Sequence, residues 1–403
     1  MERGLSVLLL ILCSISVLNA SPSAVEDELK KNGEKTILVF GGNGFIGAST
    51  VQNLLRVNYT VVIINRGNWY WDSAETVRPY VKLLKCDRMQ SLQKCSDLQH
   101  YLWSLDTPTL FEALIDFSAY HSFEVNEALS LLRGKIRKYI YISSDSVYEV
   151  CNKTHSQLTR EEDAIRPESK DDYDLYKSRD NYGNRKLECE EALVKQAEKD
   201  EGIPYISLRL PDVVGPRDNT YRWWLYQLWI RLSDYIDKPL TVPKNLWKQP
   251  LSFVFVDDVA DSIVDIISGE KEIYNNAYNL CLKEMPTLVE YLHALMDAMD
   301  VEDINILEEP NDDSLHLFPS VRNGPIDCTK AQRLLNWNPT SWVDVLYKTV
   351  DFYENAITNE KFVAARKDVI RTLQQYFSKD PTTVITGLRQ EYGITFNNNH
   401  DEL

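Results

Sequence analysis

The feature that most constrains this chain is an apolar run followed at once by a glycine-rich turn. Thr36-Ile37-Leu38-Val39-Phe40 leads directly into Gly41-Gly42-Asn43-Gly44-Phe45-Ile46-Gly47, and a helix-forming stretch continues to about Arg56. An unbroken apolar strand is buried on both faces, as strands are inside parallel sheets. The glycine spacing permits a tight turn at Gly41, close approach of a ligand to the backbone at Gly44, and close helix-on-strand packing at Gly47. The free N–H groups at the helix start, around Phe45 and Ile46, together with the positive dipole end, suit a phosphate. A tight turn without a ligand is the alternative. Placement directly between strand and helix is the context that a dinucleotide-binding turn requires.

Further apolar strands are predicted at 59–65, 81–84, 114–117, 139–143 and 205–210, with helical patterns at 126–132 and 182–199 among them. Such alternation predicts βαβ units. The expected fold class is α/β, a Rossmann-type doubly wound parallel sheet with a smaller C-terminal substrate lobe. The dinucleotide-binding domain is assigned to 35–210, with segments returning at about 251–283. The lobe takes 211–250 and 284–354, and 355–403 reads as an added helix and a tail. Within the lobe a strand is expected at 253–256 and a helix at 286–299. Trp223, Trp224, Tyr226 and Trp229 cluster in one short segment. They either wall a pocket or pack the lobe's core, and packing is the more frequent use of each single ring.

The ends of the chain carry their own signals. Residues 5–18 are an apolar run preceded by Arg3 and followed by Asn19-Ala20-Ser21, which reads as a signal peptide over 1–20. The run is too short to cross a membrane, and no other segment reaches spanning length. Residues 21–34 read as a flexible polar lead-in. The last four residues, His400-Asp401-Glu402-Leu403, match the address read by the retrieval receptor of the endoplasmic reticulum. The lumen of that compartment is therefore the expected location, with that receptor as a partner. There Asn58-Tyr59-Thr60 and Asn152-Lys153-Thr154 are glycosylation sequons. Beyond the signal segment stand Cys86, Cys95, Cys151, Cys189, Cys281 and Cys328. Cys86 and Cys95 are near enough for a local bridge, and buried free thiols are an equal reading. With no CxxC pair and no Cys/His cluster, no metal site is expected. A formal net charge of −16 repels phosphate backbones, so nucleic acid is not an expected partner.

Cofactor choice is read at the end of the second strand. A carboxylate there would take the ribose 2′-hydroxyl of NAD, but the chain has Asn65-Arg66-Gly67. Arg66 suits a 2′-phosphate, which favours NADP over NAD; stacking of Arg66 on adenine, or simple solvation, is the alternative. Asp87, after the third strand, is a candidate for the adenine edge or a loop carboxylate.

Two Tyr-x-x-x-Lys pairs occur, Tyr173 with Lys177 and Tyr182 with Lys186. Spacing of four places both side chains on one helix face. A neighbouring ammonium favours phenolate, and the phenol then exchanges a proton with a hydroxyl or carbonyl while hydride moves at the nicotinamide. Tyr173 lies in an Asp-rich stretch expected to be a loop, whereas Tyr182 opens a long helix, so Tyr182 and Lys186 are preferred. Ser144 closes the fifth strand, where a hydroxyl can orient the reacting oxygen. Asp145 beside it is either a further acid/base or a turn carboxylate.

These blocks together resemble the extended short-chain dehydrogenases/reductases of the NAD-dependent epimerase/dehydratase family, from Thr36 to about Tyr353. The glycine turn, Ser143-Ser144-Asp145-Ser146-Val147-Tyr148 and Tyr182-Gly183-Asn184-Arg185-Lys186 carry the resemblance. So do Leu208–Pro216 (Leu-Arg-Leu-Pro-Asp-Val-Val-Gly-Pro), Phe255-Val256-Asp257-Asp258-Val259-Ala260 and Asp327-Cys328-Thr329-Lys330-Ala331. It implies Ser144, Tyr182 and Lys186 as the catalytic set and places Ser118 and Pro211 near the nicotinamide. The chain departs from the nucleotide-sugar pattern at Asp212, usually Asn, where a carboxylate would repel a diphosphate, and at Leu251, usually Arg. Ser144-Asp145-Ser146 keeps one acid of the sugar 4,6-dehydratases without the neighbouring Glu. Asn65-Arg66-Gly67 and Pro216-Arg217-Asp218 are similar to the atypical branch, with its reductases and chloroplast RNA-binding relatives.

The expected function is an NAD(P)-dependent oxidoreductase or epimerase on a small hydroxyl or carbonyl substrate, such as a sugar or nucleotide sugar. A homodimer is compatible with it. The alternative is a non-catalytic dinucleotide-binding scaffold or sensor, since fold alone does not confer activity.

Overall fold

A computed structural model describes residues 35–105, 110–152, 158–302, 304–311, 315–322, 324–377 and 380–394. The signal segment, the lead-in, the last four residues and most of the second sequon lie outside these. In chain order the elements begin β1 (Thr36–Phe40), α1 (Phe45–Arg56), β2 (Thr60–Asn65), β3 (Lys82–Lys85), α2 (Ser96–Ser104), β4 (Ala113–Asp116), α3 (Ser122–Leu131) and β5 (Tyr139–Ser144). Then follow α4 (Lys170–Arg179), α5 (Asn181–Ala197), β6 (Tyr205–Leu210), β7 (Asp212–Val214), α6 (Arg222–Arg231), β8 (Thr241–Pro243), β9 (Phe253–Phe255), α7 (Val256–Ile267) and β10 (Asn276–Asn279). The chain continues through α8 (Leu288–Ala298), β11 (Leu307–Glu309), α9 (Thr329–Leu334), α10 (Trp342–Ala356), α11 (Val363–Phe377) and α12 (Pro381–Tyr392).

Seven strands form one sheet in the order β10-β6-β5-β4-β1-β2-β3, and every pair in it is parallel. All five residues of β1 are buried, as its composition requires. Side chains alternate between two cores: Ile37 and Val39 face one, Leu38 and Phe40 the other. Strand order reverses direction between β1 and β4, and open α/β sheets hold ligands at that point, beyond the carboxyl ends of the strands.

Past β6 the chain builds two small parallel ladders, β7 with β9 and β8 with β11. Helix α7 returns to pack on α1, and β10 extends the main sheet. Trp223, Trp224 and Trp229 are each at most 1% exposed and join the larger core. Their use is packing, and none of them faces the cleft described below.

Two expectations are corrected. The Asp-rich stretch around Tyr173 is not a loop but α4. Ser169 caps it by accepting from the Asp172 N–H (3.4 Å), Asp171 and Asp172 sit in its first turn, and Lys177 and Arg179 in its last. Both charge placements complement the helix dipole, which outweighs the low apolar content. Beyond residue 355 the chain forms two helices, α11 and α12, where one was expected. Asp380 caps α12 through the Thr382 N–H (2.9 Å). Cys86 and Cys95 form a disulfide, while Cys151, Cys189, Cys281 and Cys328 are buried free thiols. Among the described residues no helix is long and apolar enough to cross a membrane, and no group of three His, Cys, Asp or Glu could hold a metal.

Candidate active site

A cleft of about 1080 Å³ opens at the carboxyl edge of the sheet. The preferred site residues line it: Gly41, Gly44, Phe45, Ile46 and Gly47 at the turn, Arg66, Asp87, Ser118 and Pro211 along the walls, and Ser144, Tyr182 and Lys186. Tyr173 and Lys177 do not.

The turn is built for contact. Gly41 adopts φ +94°, a left-handed conformation, and a Cβ on Gly47 would lie 2.8 Å from the Gly42 Cα. The turn therefore packs tightly on the start of α1, and Gly44, Phe45 and Ile46 line the cleft. At the tip of β2, Asn65 donates to the Gly41 carbonyl (3.2 Å) and accepts from the Gly67 N–H (2.7 Å). Its amide thus ties the turn to the strand, and no carboxylate occupies the place where a 2′-hydroxyl would be read. Arg66 stands next to it on the cleft wall. Asp87 accepts from the Met89 N–H (3.1 Å), so it shapes its own loop while lining the cleft. A helix N-terminus on the cleft, a backbone cradle and a cation at the second strand fit a nicotinamide dinucleotide.

Beneath the opposite end lies a buried ion pair that the sequence did not disclose. Arg88 pairs with Asp116 and reaches the Ser118 Oγ (3.2 Å) and the Glu124 carbonyl (3.1 Å). Asp116 also accepts from the N–H groups of Ser118 (3.0 Å) and Ala119 (2.9 Å) and from the Tyr139 hydroxyl. Burial alone would raise its pKa, but Arg88 holds it below the usual carboxylate range. The pair thereby fixes the turn that presents Ser118 and Tyr120 to the cleft. Arg88 follows Asp87 directly, yet an isolated Arg carries no signal of burial.

Ser144 ends β5 and Tyr182 opens α5, and both hydroxyls face the same cleft. Ser144 donates to Asp145 (3.2 Å). Two local features bring the elements together. Asp180 caps α5 through the Gly183 N–H (2.7 Å), and Gly183 abuts the Ser146 carbonyl so closely that a Cβ there would lie 2.0 Å from it. Lys186, 3% exposed, donates to the carbonyls of Ile142 (2.6 Å) and Ala119 (3.2 Å) and lies 4.3 Å from the Tyr141 ring centre. Burial lowers its pKa to about 8. The expected acidification of Tyr182 is absent in this geometry. Burial of the phenol, then Tyr120 and Asp145, push its pKa up. Desolvation within the cleft outweighs the lowering by Ser144. Asp145 is buried and its carboxyl is raised well above the usual range by burial and by Asp212.

Asp212 does not stand as a bare charge. It pairs with Arg222 and accepts from the Ser320 N–H (2.9 Å), which answers the objection that it would repel a diphosphate. Arg222, Arg179 and Arg322 line the same cleft. None was singled out from the sequence, because helix and loop positions far apart in the chain meet only in three dimensions.

A model described as the NAD dependent epimerase/dehydratase family matches residues 37–281. The chain belongs to that family. Among curated relatives, a trifunctional UDP-glucose 4,6-dehydratase/UDP-4-keto-6-deoxy-D-glucose 3,5-epimerase/UDP-4-keto-L-rhamnose-reductase of Arabidopsis thaliana is 22% identical over 340 residues, covering 79% of this chain and 47% of that protein. The chloroplast stem-loop binding protein of 41 kDa b from the same plant is 26% identical over 258 residues, covering 60% of this chain and 59% of its own. This family member therefore spans about half the length of the curated relatives it matches. Among solved structures, UDP-glucose 4-epimerase of Thermotoga maritima superimposes with a TM-score of 0.62 at 20% identity, over 80% of this chain and 99% of that one. UDP-glucuronic acid 4-epimerase of Bacillus cereus, solved with UDP-glucuronic acid and NAD, gives 0.58 at 22%, over 79% and 99%. At these identities the structural likeness concerns the fold.

Proposed function

We propose that this protein is a nicotinamide-dinucleotide-dependent enzyme of the epimerase or dehydratase type, acting on a hydroxyl or carbonyl carbon of a nucleotide sugar, with Ser144, Tyr182 and Lys186 as its catalytic set. The observation that carries the reading is the meeting of Ser144, Tyr182 and buried Lys186 in the same cleft as the glycine turn. Gly41, Gly44, Phe45, Ile46 and Gly47 would hold the pyrophosphate, with Ser118 and Pro211 near the reactive ring. When bound, the nicotinamide supplies a hydride acceptor and donor and, in oxidised form, a positive charge. The chain's own part is proton movement. The Tyr182 hydroxyl exchanges a proton with the substrate oxygen, and Ser144 donates to that oxygen and fixes its position. Lys186, with a value near neutrality, holds the positive field beneath them. Arg179 and Arg322 supply cations that a nucleotide diphosphate needs, and Arg222 cancels the charge of Asp212 beside them. The names of the trifunctional dehydratase/epimerase/reductase and of the two 4-epimerases above carry UDP-sugars, which supports the substrate class.

Arg66, with no carboxylate at Asn65, supports NADP as the preferred cofactor. The apolar run at 5–18, the ending His400–Leu403 and the Cys86–Cys95 disulfide support residence in the lumen of the endoplasmic reticulum, where oxidised cysteines persist. Mass spectrometry of nucleotide released from the purified protein, with titration of NADPH and NADH, tests the cofactor. Product analysis after incubation with UDP-glucose and UDP-glucuronic acid tests the reaction, since an epimerase that returns its cofactor unchanged gives no net absorbance signal. Tyr182→Phe is expected to slow conversion by about 10²-fold or more. Conversion at the wild-type rate would remove Tyr182 from the chemistry.

A further inference from the structure

The segment after β2 and the segment after β7 both fold over the glycine turn. Asn43 donates to the Asn68 carbonyl (2.7 Å), while its own carbonyl accepts from the Ser73 hydroxyl (2.7 Å) and the Tyr70 N–H (3.3 Å). At Gly44 the space where a Cβ would stand is already taken: it would lie 2.6 Å from Asn219 Nδ2 and 2.9 Å from Tyr70 Cδ2. Both side chains line the cleft directly above the N-terminus of α1. Neither the Asn219 amide nor the Tyr70 hydroxyl has a hydrogen-bond partner among the described residues. Both side chains are exposed, and their donors flank the point where the helix offers its own N–H groups to an anion.

The two segments are locked to each other from behind. Asp72, 4% exposed at its side chain, accepts two bonds from Arg217 (2.6 and 2.8 Å) and one from Lys361 (3.1 Å). Trp71, held at φ +53°, packs against Tyr221, Trp224, Phe352, Tyr353 and Phe362 with ring centres 5.4–6.0 Å apart. On the other strand of the lock, Arg217 and Tyr221 are also left-handed, at φ +69° and +59°, and the Asp218 N–H donates to the Tyr353 hydroxyl (3.0 Å). Asp72 and Trp71 immediately follow Tyr70, and Arg217 lies two residues before Asn219. Lys361 comes from the C-terminal extension, outside the family match.

We propose that Tyr70 and Asn219 form a strap over the pyrophosphate of the bound dinucleotide, and that Asp72, Arg217 and Lys361 are positioning residues that hold the strap shut. The proposal rests on the dinucleotide reading above. Release of the cofactor then requires both segments to lift together, against a buried bidentate ion pair. That suits a reaction in which the cofactor ends each turnover as it began and stays in place.

The test is the release rate of bound NADPH, and separately of NADH, followed by loss of fluorescence when the complex is mixed with excess NADP or NAD. Asn219→Ala and Tyr70→Ala each remove one donor to a charged group and are expected to raise that rate roughly tenfold or more. Lys361→Met leaves the Asp72–Arg217 pair intact; because Lys361 is 44% exposed, a rise of only about two- to five-fold is expected. Unfolding temperatures within about 2 °C of wild type would show that the fold is retained. If wild type holds the dinucleotide and both Asn219→Ala and Tyr70→Ala release it at the wild-type rate, the strap is overturned and the dinucleotide reading stands. If wild type binds neither NADPH nor NADH, the dinucleotide reading falls and the strap with it. Unchanged release from Lys361→Met alone overturns the role of the C-terminal extension.

Discussion

Lys186 should destabilise the protein it serves. It is 3% exposed, bonded to two carbonyl oxygens and faced by the rings of Tyr141 and Tyr120, and burial outweighs the more distant pull of Cys189, Asp116 and Glu190. Desolvation lowers its pKa from 10.5 to about 8. At about 1.4 kcal/mol per tenfold, that difference places about 3 kcal/mol of cost on the native state while the ammonium is charged. Below pH 8 the folded and unfolded chains are both protonated and the full cost applies. Between pH 8 and 10.5 the native state gives up its proton while the unfolded chain keeps it, so unfolding takes up a proton and stability rises with pH. Above 10.5 the cost is gone. Lys186→Met keeps the length of the side chain and removes the charge, at a cost of about 1 kcal/mol for each lost carbonyl contact. The assay is urea unfolding of wild type and Lys186→Met at intervals from pH 7 to 10.5. Taking the difference between the two proteins cancels other titrating groups. The variant is expected to be at least as stable as wild type at pH 7. The difference should then move in favour of wild type by about 3 kcal/mol across the window. A difference that stays flat would show that the ammonium is not desolvated in the native cleft. The assignment of Lys186 as a tuned catalytic group would lose its physical basis.

Other outcomes follow from single contacts. Gly183→Ala ordinarily gains about 1 kcal/mol inside a helix; here its Cβ would meet the Ser146 carbonyl at 2.0 Å, so a loss of about 1–3 kcal/mol is expected in thermal unfolding. Stabilisation would show that α5 does not press on that loop. Arg209→Met leaves Glu190 buried without its partner at 2.6 Å and should cost about 3–5 kcal/mol by denaturant midpoint, with Glu190→Gln added to the same chain recovering part of it. Asp145→Asn should gain on wild type as pH rises above 4, because the unfolded carboxyl ionises there while burial keeps the native one protonated well above its usual range; parallel curves would contradict a buried neutral acid. Replacing Cys86 and Cys95 together by Ser should lower stability by about 2–3 kcal/mol, with no further effect of dithiothreitol on the variant.

Much of the frame was legible in the residues alone. An apolar β1, a glycine turn and a capped helix are local patterns, each decided by backbone geometry and burial within a few residues. That is why the sheet and the cofactor turn, along with Ser144, Tyr182 and Lys186, could be placed in one cleft before any coordinates. What lay beyond reach depends on charge partners far apart in the chain. Asp212 looked hostile to a diphosphate until Arg222 was found against it. Tyr182 looked acidic until its phenol was found desolvated beside Tyr120 and Asp145. The Asp-rich stretch at Tyr173 looked like a loop because apolar periodicity was absent and capping by Ser169 was not weighed. Asp72, Arg217 and Lys361, separated by 145 and 289 residues from the first, meet only when the C-terminal extension folds back on the turn after β2. Local sequence sets which backbone shapes are possible; desolvation and pairing, which decide protonation and strength, belong to the packed whole.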